Sequence, residues 1–161
     1  MIIGLMGGSG SGKSIVCDAG RALGFKIIDA DKIGHDIILK GKPAYDEIVD
    51  YFGSEILMEN GEIDRKKLGS IVFNDNQKLE RLNRITHPRI TEEIKRQLVG
   101  NTIIDAAVLY KTSLYEICHK IISVTASTER RIDFICKRDN ISYESAKKRI
   151  ESQLSNEEYA K

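Results

Sequence analysis

Eight residues carry the clearest chemistry in this sequence. Gly7-Gly8-Ser9-Gly10-Ser11-Gly12-Lys13-Ser14 matches GxxxxGK[ST] at every fixed position. The glycines let the backbone turn with its N–H groups inward, and such a concave ring of amides is an anion site. A helix starting near Lys13 would add the positive end of its dipole. Lys13 would reach the β- and γ-phosphates of a nucleoside triphosphate, and the Ser14 hydroxyl would ligate magnesium. Lys13 also stands where a dinucleotide-binding fingerprint would need its third glycine. The pattern therefore implies an ATP-using phosphotransferase, with the nucleotide held by Gly8, Ser9, Gly10, Ser11, Gly12, Lys13, Ser14 and the backbone N–H of Ile15. No NKxD signature follows, which disfavours a GTPase.

A second constellation is Asp29-Ala30-Asp31, at the end of an apolar run. A carboxylate there can take a proton from an attacking hydroxyl and help hold a magnesium shell. Asp31 also suits a helix N-cap, a role compatible with catalysis. Arg65 has the planar fork that grips phosphate in two places. His87 precedes Pro88, which predicts an extended backbone at the histidine and a role in the substrate cleft or in pinning the helices. Asp105, ending another apolar run, resembles the acid that holds magnesium in many P-loop ATPases. His35 and His119 are expected to be surface or supporting residues.

The elements needed to position these groups follow from pattern and punctuation. Met1–Met6, Lys26–Asp29, Thr102–Ala106 and Lys120–Ala126 are short apolar runs, read as strands. Helices are predicted over Ser14–Leu23, Lys32–Leu39, Ala44–Phe52, Arg65–Phe73 and Gln77–Ile85. Another is predicted from Pro88 to Val99, because a proline sits best in a helix's first turn. Asn60-Gly61 marks a tight turn. Thr128–Arg138 and Ser142–Leu154 read as charged amphipathic helices. Strands alternating with helices imply a parallel sheet, that is, an α/β P-loop sandwich of three layers with a helical cap and a helical lid. The sheet's carboxyl edge is where its ligands bind.

Composition narrows the class. The chain has 161 residues, 25 basic against 24 acidic, and a formal net charge of +1. That balance implies neither a nucleic-acid partner nor an acidic tail. Three scattered cysteines, never in a CxxC pattern, argue against disulfides and zinc and fit a reducing cytoplasm. No leader and no membrane span is read, so the expected location is cytoplasmic.

Taken in order, several segments resemble the dephospho-CoA kinase family: IGLMGGSGSGKS, IIDADKIGHDI, YFGSEIL with NGEIDRKKLGSIVF, THPRI, IIDAAVL and KRDNISYESAKKRIESQ. The resemblance covers essentially the whole chain. It implies transfer of phosphate from ATP, with magnesium, to the ribose 3′-hydroxyl of dephospho-CoA, giving coenzyme A. Asp31 matches the family's catalytic carboxylate, with Asp29 beside it. Arg65 matches an arginine that contacts substrate, and His87 belongs to the same substrate region. The last helices resemble a lid closing over ATP, whose arginines are Arg138, a catalytic group beside Lys13 and Asp31, and Arg149. The layout implied is a core over about 1–39 and 100–127, a cap over about 40–99 and a lid over about 128–155, in a monomer or small homo-oligomer. The sequence departs from the family in four places. Ile15 replaces a threonine, Ala107–Lys111 lacks an acid, and Phe134 stands where an arginine is expected, with Arg130 and Arg131 nearby. The chain also ends before a further strand and helix, which implies an incomplete C-terminus. The competing readings are another small-molecule or nucleotide kinase, and an ATP-binding switch with weak catalysis.

Overall fold

The computed structural model describes residues 1–107, 109 and 112–159. The chain divides into two compact units, 1–29 with 98–161, and 30–97. The second unit begins at Ala30, ahead of the start near residue 40 expected for a helical cap.

The first unit is built on a parallel sheet of β1 (Ile2–Met6), β2 (Lys26–Asp29), β3 (Thr102–Asp105) and β4 (Lys120–Ser123), in the order β2-β3-β1-β4. All four strands were legible as short apolar runs; β1 and β3 are largely buried, whereas β4 at the sheet's edge leaves Ile121 and Ile122 exposed. On one face Ile3 and Leu5 of β1 and Ile103 of β3 pack with Cys17 of α1 (Lys13–Ala22). On the other face Gly4 lies against Leu109 and Cys118, next to a 3₁₀ turn at Ser113–Ile117.

Register fixes which chain ends meet. Leu5 of β1 and Asp29 of β2 both pair with Asp105 of β3. The loop after β1, Asp105 and Asp29 therefore share the carboxyl edge, where the chain has gone one way from β1 to β2 and the other way to β4. Two helices follow β4: α6 (Thr128–Asp139) and α7 (Tyr143–Glu151). Ser127 and Ser142 cap their N-termini, and Asn140, at φ 51°, turns the chain between them. Ile132 and Ile135 bury against Ala146 and Ile150. A last short helix, α8 (Asn156–Tyr159), was not anticipated; Asn156 anchors it by donating to the Ala126 carbonyl at 2.9 Å.

The second unit is helical: α2 (Ala30–Asp36), α3 (Tyr45–Phe52), α4 (Arg65–Phe73) and α5 (Asn76–Gln97). The Asn60-Gly61 turn joins a small antiparallel bridge between Leu57 and Ile63. Asp64 caps α4 by accepting from the Lys66 and Lys67 N–H groups.

Two local expectations are corrected. The predicted helix break at His87-Pro88 does not occur: α5 runs unbroken through both residues, so His87 is helical and not extended. Pro88 removes one backbone donor, but Ile85 and Ile94 on either side of it are buried and hold the two halves in line. α2 begins at Ala30, so Asp31 lies within its first turn and is not its N-cap.

Candidate active site

The phosphate loop joins β1 to α1, as its motif requires. Gly10 and Gly12 take φ values of 75° and 100°, a region that side chains disfavour. Gly12 precedes α1 without offering a side-chain cap. The Ile15 N–H reaches the Gly12 carbonyl at 3.0 Å. Ser11 Oγ is buried and meets no hydrogen-bond partner among the described residues.

The Lys13 ammonium lies 3.1 Å from Asp105 Oδ1. The two charges attract, but their geometry is not that of an aligned hydrogen bond. The other oxygen of Asp105 faces the Cys17 thiol at 3.6 Å. Burial, reinforced by the negative charge of Asp105, pushes the Cys17 thiol up to about 11. Cys17 is therefore a protonated donor at neutral pH and not a nucleophile. Ser14 is exposed at the start of α1.

Ser9 is held at three points. Its N–H donates to Gln153 Oε1 at 2.9 Å, and the Gln153 amide donates back to Ser9 Oγ at 2.8 Å. Its carbonyl accepts from Arg131 Nε at 3.0 Å. Arg131 also donates from Nη2 to Gln153 Oε1 at 2.9 Å. Arg131 is only 2% exposed, whereas Arg130 beside it faces solvent. A Cβ on Gly8 would lie 2.2 Å from Arg131 Nη2, and one on Gly10 would lie 2.7 Å from the Arg131 carbonyl. The sequence named Arg131 only as a neighbour of Phe134 and did not single out Gln153. The helical spacing from Arg131 to Ile135, which puts both on one face of α6, was the available signal.

The two arginines expected in the lid lie on α6 and α7 and meet the same carboxylate. Arg138 grips Asp139 through two hydrogen bonds at 2.7 and 2.9 Å, and Arg149 also donates to Asp139. These two guanidiniums hold the Asp139 carboxyl well below the usual carboxylate range. Phe134 is partly exposed on α6. The departure at Ala107–Lys111 falls largely on Val108, Tyr110 and Lys111, outside the described residues.

In the helical unit, Asp31 and His35 line a cavity of about 450 Å³ floored by Ile38, Leu68, Leu82 and Ile90. Arg65, the first residue of α4, hydrogen-bonds His35 Nε2. His35 was expected to be a surface or supporting residue; it links Arg65 to this cavity. His87 is half-buried in α5, and burial lowers its pKa. A second cavity in this unit, of about 490 Å³, holds none of the residues singled out from the sequence. His119 is structural, its Nδ1 accepting from the Ile2 N–H at 3.0 Å.

A parallel sheet with a glycine-rich loop leading from its first strand into a helix defines a P-loop nucleotide-binding protein. The family model described as dephospho-CoA kinase matches residues 1–161. A relative named dephospho-CoA kinase from Fusobacterium nucleatum is 46% identical, the match covering 100% of this chain and 85% of the relative. One of the same name from Bacillus cereus is 40% identical over 100% of this chain and 84% of its own length. Among solved structures, dephospho-CoA kinase from Campylobacter jejuni superposes with a TM-score of 0.66 at 30% identity, covering 98% of this chain and 82% of that one. TT1252 from Thermus thermophilus superposes with a TM-score of 0.85 at 27% identity, covering 99% and 83%. The chain belongs to the dephospho-CoA kinase family.

Proposed function

We propose that this protein transfers the γ-phosphoryl group of ATP to the ribose 3′-hydroxyl of dephospho-CoA, giving ADP and coenzyme A. The observation that carries the reading is the loop between β1 and α1, in a chain that matches its family from end to end. The amides of that loop and the α1 N-terminus suit a polyphosphate, and the buried Ser11 hydroxyl is a further donor for it. Lys13 is near enough to Asp105 to be balanced by it, yet loosely enough paired to turn to a phosphate.

Ser14 and Asp105 are hard oxygen donors of the kind magnesium takes with phosphate oxygens and water. Among the described residues no cluster of three or more acidic, histidine or cysteine side chains could hold a metal alone, which suits an ion shared with the nucleotide. When bound, magnesium neutralises charge on the β- and γ-phosphates.

Asp31 accepts the proton of the 3′-hydroxyl as its oxygen bonds to the γ-phosphorus and the bond to the ADP oxygen breaks. Asp29, two residues before it, keeps negative charge at the sheet edge. Arg65, steadied by His35, holds an acidic group of the acceptor, and His87 supports the same helices from α5. Arg138 and Arg149 serve the lid once Asp139 releases them to the phosphates. No described helix is long and apolar enough to cross a membrane. The free thiols Cys17, Cys118 and Cys136 suit a reducing cytoplasm.

The test is purified protein with ATP, magnesium and dephospho-CoA, read by ADP release and product mass. A 3′-phosphorylated product at about 1–100 per second is expected. ADP release without that product would overturn the reading in favour of another acceptor or a slow ATPase.

A further inference from the structure

The loop holds a cation that the reading above does not use. Arg138 and Arg149 have their charge met by Asp139. Arg131 is more deeply buried than either, yet it makes no ion pair among the described residues. Its hydrogen bonds go to a backbone carbonyl and a neutral amide. Removing a charge from water without an opposite charge is strongly unfavourable, so such groups are found paired or waiting for an ionic ligand. Burial accordingly lowers the pKa of this guanidinium, though it stays cationic at neutral pH.

The place of this cation is specific. Arg131 packs directly on the backbone of Gly8 and Gly10, on the loop built to take a polyanion. A guanidinium offers five donors, and the two hydrogen bonds above engage only Nε and Nη2.

We propose that Arg131 is a phosphate-binding residue of this loop, whose guanidinium takes a phosphate oxygen of ATP as its counter-ion, with Gln153 as the residue that positions it. Gln153 Oε1 accepts from both Arg131 and the Ser9 N–H, so a single neutral oxygen holds the donors that an anionic oxygen would hold more strongly. Binding of ATP then exchanges an amide oxygen for a phosphate oxygen, and no proton moves.

The inference rests on the loop binding ATP, and the experiment separates the two. ATP affinity is measured by calorimetry for Arg131→Met, Arg131→Lys, Gln153→Glu and Lys13→Ala, with melting temperature recorded for each. Arg131→Met, held below its melting temperature, should bind ATP about 10- to 100-fold more weakly, the span expected for a hydrogen bond to a charged group. Its KM for dephospho-CoA should stay unchanged, and Arg131→Lys should fall between it and the parent. Gln153→Glu places a carboxylate on the guanidinium, so the melting temperature should rise while ATP affinity falls. A purely structural arginine would move stability and affinity together. Folded Arg131→Met with parental ATP affinity would overturn the proposal. Should Arg131→Met not fold, Gln153→Glu with parental ATP affinity would overturn it as well. Unchanged ATP binding in Lys13→Ala would remove the loop reading itself, and the proposal with it.

Discussion

An ammonium 3.1 Å from a carboxylate but out of alignment with it is a charge that is balanced and still exchangeable. Lys13 is in that state, and under the proposed function it exchanges Asp105 for a phosphate. Asp31 is of a different kind: an exposed carboxylate in the first turn of α2, on the wall of a cavity. As the proton acceptor proposed above, Asp31 would lose that capacity in Asp31→Asn while keeping its shape. Phosphoryl transfer should fall by about 10²- to 10⁴-fold, the usual contribution of a general base. ATP affinity measured by calorimetry should remain close to parental. A collapse of ATP binding instead would make Asp31 a structural or metal-holding group.

Among the elements, α5 holds the most informative conflict. Pro88 sits inside a 22-residue helix. Its ring removes the N–H that would bond the Arg84 carbonyl and crowds that carbonyl. Side chains reinforce the turns around it, with Arg89 Nη1 donating to the Ile85 carbonyl at 2.6 Å and Thr86 Oγ1 to the Leu82 carbonyl at 2.9 Å. Pro88→Ala should restore the backbone bond and raise stability by about 1–3 kcal/mol in urea unfolding. A lower urea midpoint would show that the proline fits its helix without strain. The sequence pointed to a break because proline is a local signal, whereas Ile85 and Ile94, on either side of it in α5, are both buried in the folded unit. By the same reasoning the four strands and the loop were legible, since a short apolar run and a glycine-rich motif are each local signals. The contact of Ser9 with Gln153 was not, because 144 residues separate the partners. The pairing of Arg138 and Arg149 with Asp139 was not legible either, because the sequence does not show which carboxylate meets a helical arginine in the fold.

At the scale of the whole molecule, the division of the chain falls inside the Asp29-Ala30-Asp31 segment. Asp29 closes a strand of the sheet unit, and Ala30, just before Asp31, opens the helical one. The two substrates should then leave separate footprints in amide hydrogen exchange. ATP should slow exchange in the loop from Gly7 to Ser14 and in α6, and dephospho-CoA should slow it in α2 and at the start of α4. Protection of the loop by dephospho-CoA alone would contradict this assignment of substrates to units. The family resemblance was legible along the whole sequence because its motifs are short and ordered. The boundary between units was not, because it lies between two residues of one such motif.

Gly8 and Gly10 have no room for a side chain because α6 lies against them, whatever the loop binds. A side chain at either position is thus opposed by packing alone. A duplicated copy of this gene that had lost its chemistry but kept α6 in place would still be selected to keep both glycines. In such a lineage, decay would be recorded first at Lys13 and Asp31, and a preserved glycine pattern would date the fold and not the activity.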